Sequence, residues 1–255
     1  QFLESMRLLQ TNLSLMGADR PIQSVIISSS MPNEGKSTVA RHLAQTAATM
    51  GKRVLLVDAD LRRPTVHQRL GLSNEKGLSD LISGNATGNE VLQKAMPFVE
   101  FYAITAGTIP PDPVKLLASK RMRLLMNQLE KQFDLVVYDT PPLVGLADAT
   151  LIASHTDGLI LVSRVNQCDR NVLQHAMDNI SFTQIPVLGL VANGVSTRGQ
   201  GYKYYSYGYG SQVDPSQQQP AASADERSEV LAAASKNGGT RSEEHTSELQ
   251  SLTNL

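Results

Sequence analysis

The sequence predicts an α/β fold in which a mostly parallel central sheet carries helices on both faces. Short runs rich in valine, isoleucine and leucine alternate with longer amphipathic stretches as far as Asn193. This alternation is typical of buried parallel strands joined by crossover helices. The 255 residues are 41% apolar, which is enough for one sizeable core. One folded domain followed by a tail is therefore expected.

The first element is predicted to be a helix, because its apolar residues recur at alternating steps of four and three. These residues are Phe2, Met6, Leu9, Leu13 and Met16. Such spacing places them on one buried stripe, and Gly17 is predicted to end the helix. Since the sequence already reads as helix at Gln1, we expect it to be a fragment of something longer.

Six strands and two further helices are predicted after this helix. The strands are SVIIS from Ser24, RVLLVDAD from Arg53, FVEFYAI from Phe98, DLVVYD from Asp134, GLILVS from Gly158 and PVLGLVANG from Pro186. One helix follows Lys36, with Val39 and Leu43 on its buried face and Gly51 at its end. Another is expected over residues 114–132.

The composition divides the chain into a folded part and a tail. Residues 1–200 are predicted to form the folded domain, and residues 201–210 form a tyrosine cluster. Residues 211–240 are rich in glutamine, serine, alanine and proline, too polar to bury a core, and are predicted to be disordered. Residues 241–255 resemble translated read-through of a sequencing adapter more than natural protein, so no function is inferred from them.

Composition also excludes several classes of function. The 23 lysine and arginine residues are balanced by 24 acidic residues, so no overall field favours nucleic acid or an anionic membrane surface. The single cysteine, Cys168, can neither form an internal disulfide nor by itself hold zinc or an iron-sulfur cluster. No apolar run approaches the roughly 20 residues that are needed to span a bilayer.

A phosphate-binding loop is predicted in the segment SMPNEGKST, residues 30–38. Gly35, Lys36 and Ser37 match the pattern GxxxxGK[ST] and Thr38 follows them, between a buried strand and a helix, although Ser30 replaces the first glycine. Backbone N–H groups and the helix N-terminus there present positive partial charge to a phosphate. ATP is the expected nucleotide. The predicted nucleotide-binding residues are Pro32, Asn33, Glu34, Gly35, Lys36, Ser37 and Thr38.

Three aspartates follow predicted strands whose carboxyl ends meet at the ligand-binding edge of the sheet. Asp58 and Asp60 come from RVLLVDADLRRP, and Asp139 comes from DLVVYDTPP. Carboxylates gathered beside phosphates would repel them unless a cation lay among them, which predicts Mg²⁺. The alternative for each aspartate is a turn former or a helix cap.

The spacing of these motifs resembles that of the bacterial tyrosine kinases, or BY-kinases, a deviant Walker type of P-loop NTPase. Their Walker A motif is similar to SMPNEGKST, their Walker A′ motif to LLVDADLR and their Walker B motif to VVYDTPP. The segment GTIPPDPVKLLAS and the pair Asp148-Ala149 also resemble that family, over roughly residues 1–210. The resemblance implies an ATP-dependent tyrosine autokinase that regulates polysaccharide assembly and export.

The tyrosine cluster is the phosphoacceptor segment that this resemblance implies. Its members are Tyr202, Tyr204, Tyr205, Tyr207 and Tyr209, whereas the predicted folded part contains only Tyr102 and Tyr138. A sticky low-complexity segment is the alternative. Stacking on single-stranded nucleic acid is not expected, because Lys203 and Arg198 are too few cations to follow a backbone. Modification is expected to occur in trans, between copies.

The residue roles also follow from the resemblance. Lys36 holds the transferring phosphate, and Ser37, Asp60 and Asp139 fix Mg²⁺. Asp58 orients or deprotonates the tyrosine hydroxyl, although sequence alone does not separate its duty from that of Asp60.

The resemblance also gives a role to Asn193, in the strand-end segment VANG. It is expected to contact the adenine base. A turn residue before Gly194 is the alternative.

The N-terminal helix resembles the family motif ExxRxxR, which packs subunits into a ring. Glu4 and Arg7 match it, but Gln10 stands where the second arginine is expected and lacks its charge and fork geometry. An ordinary surface ion pair between Glu4 and Arg7 is the alternative.

The resemblance further implies a homo-oligomer, a transmembrane activator or chain-length regulator of polysaccharide export, and a tyrosine phosphatase. It places the chain in the cytoplasm, at the inner face of the bacterial membrane. A fused or separate transmembrane partner, absent from this chain, would attach it there.

Three rival functions are weighed against the kinase. A partition or septum-positioning switch ATPase shares this fold, but it carries a signature lysine near the position of Met31. An iron-sulfur carrier ATPase is disfavoured by the single cysteine. An ATP-dependent assembly module without catalysis is disfavoured by the intact loop lysine and acidic residues.

Overall fold

The structure is a computed structural model that describes residues 2–195. Its helices are α1 Phe2–Met16, α2 Lys36–Thr49, α3 Val66–Leu70, α4 Leu78–Ser83, α5 Gly88–Val91, α6 Pro113–Leu117, α7 Lys120–Gln132, α8 Asp148–Ala153 and α9 Arg170–Thr183. Its strands are β1 Ser24–Ser29, β2 Val54–Asp58, β3 Leu92–Lys94, β4 Phe101–Ile104, β5 Leu135–Asp139, β6 Gly158–Arg164 and β7 Val187–Asn193.

Within residues 2–195, the seven strands form one sheet in the order β3-β4-β2-β5-β1-β6-β7. All neighbouring pairs are parallel except β3 and β4. Asp58 at the end of β2 pairs in register with Asp139 at the end of β5, and Asp139 also pairs with Ile27 of β1. This order confirms the predicted α/β fold and brings two of the predicted carboxylates to one point.

The core consists of two apolar layers, one on each face of the sheet. Alternate strand residues face opposite layers, so Ile26 packs in one layer and Ile27 in the other. Helix α2 covers one face through Leu43, and helix α7 covers the other through Leu129. The central strands are therefore buried on both sides, as their continuous apolar runs predicted.

Several elements differ from the predictions. The predicted helix over residues 114–132 is two helices, because the hydroxyl of Ser119 accepts a hydrogen bond from Met122 N and caps a new helix. The strand predicted from Phe98 begins at Phe101, and Phe98 itself is 96% exposed. The short antiparallel strand β3 was not predicted. Helix α1 ends at Met16, as expected.

Among the residues that the structure describes, no helix is both long enough and apolar enough to pass through a membrane.

Candidate active site

The phosphate loop connects β1 to α2, as predicted. Gly35 immediately precedes α2 with φ 98°, a left-handed conformation that favours glycine. A Cβ atom at this position would lie 2.1 Å from Nδ2 of Asn193. Glycine is therefore required at Gly35 both by the backbone and by the neighbouring side chain.

Glu34 braces the loop from inside. Its Oε2 atom accepts hydrogen bonds from Ser30 Oγ at 2.8 Å and from Met31 N at 2.7 Å. Its Oε1 atom accepts one from Arg164 N at 3.3 Å. Ser30, the residue that replaces the usual glycine, thus has a defined role in holding the loop. Because Glu34 is 3% exposed, its role is to hold the shape of the loop.

Asn193 joins the last strand to the loop. Its Nδ2 atom donates a hydrogen bond to the carbonyl of Glu34 at 2.9 Å, and its Oδ1 atom accepts one from Gly194 N at 2.9 Å. The hydrogen bond to Gly194 is the interaction expected of a turn residue. The expected contact with the adenine base stays a prediction. The structure adds a third role, which is to support the phosphate loop.

Lys36 lies among the three predicted carboxylates. Its Nζ atom donates a hydrogen bond to Oδ2 of Asp60 at 2.9 Å and lies 3.9 Å from Oδ1 of Asp139. Burial works to lower the pKa of Lys36, but Asp139 and Asp60 outweigh it, and the pKa is raised above its ordinary value. Lys36 is therefore cationic and held by Asp60.

Asp58 is fully buried at the end of β2. Its Oδ2 atom accepts hydrogen bonds from Thr65 N at 3.1 Å and Val66 N at 2.9 Å, at the start of α3. Its Oδ1 atom has no hydrogen-bond partner among the described residues. Burial, followed by the charge of Asp139, raises the pKa of Asp58 to about 8. Burial therefore favours the protonated form of Asp58 when neither nucleotide nor Mg²⁺ is bound.

Asp139 is also fully buried. Burial raises its pKa to about 6, although the charge of Lys36 and the hydroxyl of Ser37 act in the opposite direction. Neither carboxylate oxygen has a donor at hydrogen-bonding geometry among the described residues. Two orphaned oxygens in the interior are costly, so this carboxylate is suited to a cation.

These residues fit Mg²⁺ that arrives with a nucleotide. Within residues 2–195, no three histidine, cysteine, aspartate or glutamate side chains converge into a ready-made cation cage. Mg²⁺ at nucleotide sites is usually held by one or two carboxylates together with waters and substrate phosphates. The unpartnered oxygens of Asp139, with Ser37 close by, match that donor set.

Three further contacts at this edge were not assigned by sequence reasoning. The guanidinium of Arg62 donates to both oxygens of Asp148, at 2.9 and 3.1 Å. Arg69 donates to Thr38 Oγ1 at 3.2 Å. Cys168 Sγ lies 3.4 Å from Ser30 Oγ. Arg62 and Asp148 lie in segments that resemble the kinase family, and this resemblance could have indicated that they belong to the site. No such indication existed for Arg69, because α3 was not predicted.

Some predicted residues lie away from the site. Glu4 and Arg7 are exposed on α1, whereas Gln10 is 1% exposed and faces the protein interior. Glu4 and Arg7 form no ion pair with each other in the described structure. Their oligomer role stays a prediction. The tyrosine cluster, residues 202–209, lies outside the described residues.

The chain is similar to characterised families over most of the described domain. A ParA family model, described as NUBPL iron-transfer P-loop NTPase, matches residues 22–223. The tyrosine-protein kinase YwqD of Bacillus subtilis is 36% identical over 206 residues, which cover 81% of this chain and 85% of that protein. The tyrosine-protein kinase Wzc of Salmonella typhimurium is 31% identical over 214 residues, which cover 82% of this chain but 29% of that longer protein.

Solved structures show the same similarity in three dimensions. The kinase domain of the Escherichia coli tyrosine kinase ETK aligns with a TM-score of 0.73 and 32% identity. The alignment covers 81% of this chain and 80% of that domain. The similarity in three dimensions therefore covers most of the chain.

Proposed function

This chain belongs to the bacterial tyrosine kinases, within the ParA-type P-loop NTPases, and we propose that it transfers the γ-phosphoryl group of ATP to tyrosines of its own C-terminal cluster. It is a protein-tyrosine kinase, in agreement with the predicted activity. The proposed acceptors are Tyr202, Tyr204, Tyr205, Tyr207 and Tyr209. The observation that carries the proposal is the convergence of Lys36 with Asp58, Asp60 and Asp139 beside the phosphate loop.

Lys36 and the loop amides are proposed to hold the phosphates of ATP. The backbone around Gly35 presents N–H groups at the start of α2, where the helix dipole favours an anion. Because Lys36 is bound to Asp60 before the nucleotide arrives, its ammonium group exchanges one anionic partner for another. Positioning and charge neutralisation of this kind supply most of the catalysis in phosphoryl transfer.

Ser37, Asp60 and Asp139 are proposed to hold Mg²⁺. When bound there, the ion neutralises charge on the phosphates as a Lewis acid. Asp139 is suited to binding the ion because both of its carboxylate oxygens lack a hydrogen-bond partner among the described residues and because it lies close to Lys36.

Asp58 is proposed to accept the proton of the tyrosine hydroxyl, in a state where a cation held by Asp60 and Asp139 has lowered its pKa and left it ionised. As the phenol oxygen forms its bond to the γ-phosphorus, the bond to the β-phosphate oxygen breaks, ADP leaves and the proton passes to the Asp58 carboxylate. The geometry favours Asp58 over Asp60 for this step, because Asp60 is occupied by Lys36 and Asp58 keeps Oδ1 free. Since Asp58 is fully buried under the first turn of α3, α3 has to shift before a tyrosine can reach it.

The family membership supports a wider proposal for the whole system. In it, copies of the chain form a homo-oligomer and modify one another in trans. A fused or separate transmembrane activator or chain-length regulator holds the assembly at the inner face of the bacterial cytoplasmic membrane, and a tyrosine phosphatase resets it. The cellular process is polysaccharide assembly and export.

The proposal is tested with the purified chain and its Lys36→Met variant, each incubated with ATP and Mg²⁺ before phosphotyrosine is mapped by mass spectrometry. We expect phosphate on the cluster in the parent chain and none in the variant. ATP turnover with unmodified tyrosines would instead support the switch ATPase. The exposed Met31 already counts against that function, because it lies near the position where such ATPases carry their signature lysine.

A further inference from the structure

The last turn of α3 carries an arginine that reaches the phosphate loop. Arg69 Nη1 donates to Thr38 Oγ1 at 3.2 Å, and Arg69 Nε lies 3.4 Å from Thr65 Oγ1. Thr38 is the last residue of the predicted phosphate loop, and it lies in the first turn of α2. The exposed guanidinium of Arg69 is therefore held at the nucleotide site by two neutral hydroxyl groups.

The charge of Arg69 differs from that of the other cations at this edge. Lys36 is paired with Asp60, and Arg62 is paired with the buried Asp148. Within the described part of the chain, no carboxylate lies at ion-pair distance from Arg69. Its charge nonetheless acts on Asp139, since it is one of the groups that lower the pKa of Asp139 against the larger effect of burial.

An uncompensated guanidinium beside a phosphate loop is suited to phosphate oxygens. Arginine presents a planar fork of donors that matches phosphate geometry, and hydrogen bonds between charged groups are stronger than those to neutral hydroxyls. Thr38 and Thr65 hold the fork in place and can be exchanged for a charged acceptor. The geometry is that of a site prepared for an anion.

We propose that Arg69 is a phosphate-binding residue of the kinase site, which rests on the proposed function of the loop. Its ligand is a phosphate group next to Thr38, carried either by the nucleotide or by the phosphotyrosine product. Because the same short helix begins at the hydrogen bonds to Asp58, occupation of Arg69 also ties α3 to the bound phosphate. Arg69 thus links the nucleotide to the helix that covers the proposed base.

The test compares Arg69→Gln and Arg69→Lys with Arg63→Gln in the full chain. Arg63 is also exposed and lies in the same segment, so its variant removes an equal charge without removing the contact to Thr38. Binding of ADP and of adenosine is measured by calorimetry at two salt concentrations. A synthetic phosphotyrosine peptide with the sequence of residues 202–209 is then tested as an inhibitor of phosphoryl transfer.

If the nucleotide supplies the phosphate, Arg69→Gln weakens ADP binding about tenfold and leaves adenosine binding unchanged. Arg69→Lys recovers part of the loss, and Arg63→Gln changes the affinity by less than about twofold. If phosphotyrosine supplies it, ADP binding is unchanged and inhibition by the peptide is lost in Arg69→Gln. Equal behaviour of Arg69→Gln and Arg63→Gln in both measurements would overturn the inference.

The proposed function fails in a different way. A parent chain that binds ADP but modifies no tyrosine would refute the kinase proposal, while the ADP comparison would still decide the role of Arg69. A parent chain that binds no nucleotide would refute both. Thermal midpoints of all variants are measured alongside, and a change of affinity counts only in variants whose midpoint matches the parent.

Discussion

Lys36 Nζ lies 2.9 Å from Oδ2 of Asp60, which is ion-pair distance, and the Lys36 side chain is 12% exposed. The lysine that has to bind phosphate therefore already has an anionic partner. Nucleotide binding at this loop is an exchange of partners, and its affinity reflects the difference between the two.

Asp60→Asn should strengthen nucleotide binding in the absence of Mg²⁺. The change removes the anion that competes for Lys36, so ATP affinity measured in EDTA is expected to rise about threefold to tenfold. Phosphoryl transfer with Mg²⁺ should fall by about a hundredfold, because a proposed ion ligand is lost. Calorimetry in EDTA and a phosphotyrosine assay measure the two effects. Weaker binding in EDTA would show that Asp60 supports the loop more than it competes with phosphate.

The stability of the nucleotide-free chain should fall as pH rises through the neutral range. Asp58 has a pKa of about 8 in the folded state, well above the ordinary value of about 3.9 that it has when unfolded. Between these values the folded chain binds the extra proton, so raising the pH favours unfolding. The decline should begin near pH 4 and level off above pH 8, with Asp139 contributing up to about pH 6.

Asp58→Asn should remove most of this decline. At pH 8 the variant is expected to be more stable than the parent, and near pH 4 the two should have similar stability, although the variant should lose kinase activity. Urea denaturation in EDTA at several pH values measures this, with the exposed Asp19 changed to asparagine as the control. A parent chain whose stability rises from pH 5 to pH 8 would contradict the raised pKa of Asp58.

Gly35→Ala should damage the loop more than its backbone strain alone predicts. The new Cβ would lie 2.1 Å from Asn193 Nδ2, whereas a Cβ at Gly51, with φ 92°, would meet nothing within 4 Å. Gly51→Ala therefore measures the backbone strain alone, and it should lower the free energy of unfolding by about 1 kcal/mol. Gly35→Ala should lower it by about 2 kcal/mol or more and abolish ATP binding. Adding Asn193→Ala to Gly35→Ala should recover part of the stability. No recovery in this double variant would rule out the steric explanation.

Arg62→Met should destabilise the fold by leaving Asp148 buried and unpaired. Asp148 is fully buried, but the Arg62 side chain is 37% exposed, so solvent screening limits the expected loss to about 1–2 kcal/mol. The double variant Arg62→Met, Asp148→Asn should be more stable than Arg62→Met, because the uncompensated charge is removed. Urea midpoints at neutral pH give both values. If the double variant is the less stable of the two, the pair does not act through charge.

Much of the fold and the site could be predicted because strand patterns are local. The runs ending in Asp58 and Asp139 read as buried strands, and parallel neighbours necessarily bring their carboxyl ends together. The family resemblance supplied the kinase activity, which the comparisons confirm.

The remainder depends on contacts between distant segments. The role of Asn193 at the loop depends on the position of β7 relative to Glu34, which the sequence does not give. The hydrogen bonds from the start of α3 to Asp58 could not be predicted either, because α3 is only five residues long. Such a short helix has too few turns to show periodicity. The break at Ser119 was visible only as a serine inside an otherwise continuous helical pattern, where a cap and a solvent-facing side chain look alike.

Asn193, which is hydrogen-bonded to the phosphate loop, lies close in sequence to the tyrosine cluster. Tyr202 follows Asn193 by only nine residues, a tether of at most about 30 Å when fully extended. If Tyr202 is an acceptor, as proposed, a tether of this length would give it an effective concentration of the order of millimolar around the phosphate site of its own copy. Diluting the enzyme therefore separates the two routes: modification within one copy proceeds at a constant rate per molecule, whereas modification between copies slows with concentration once the assembly dissociates.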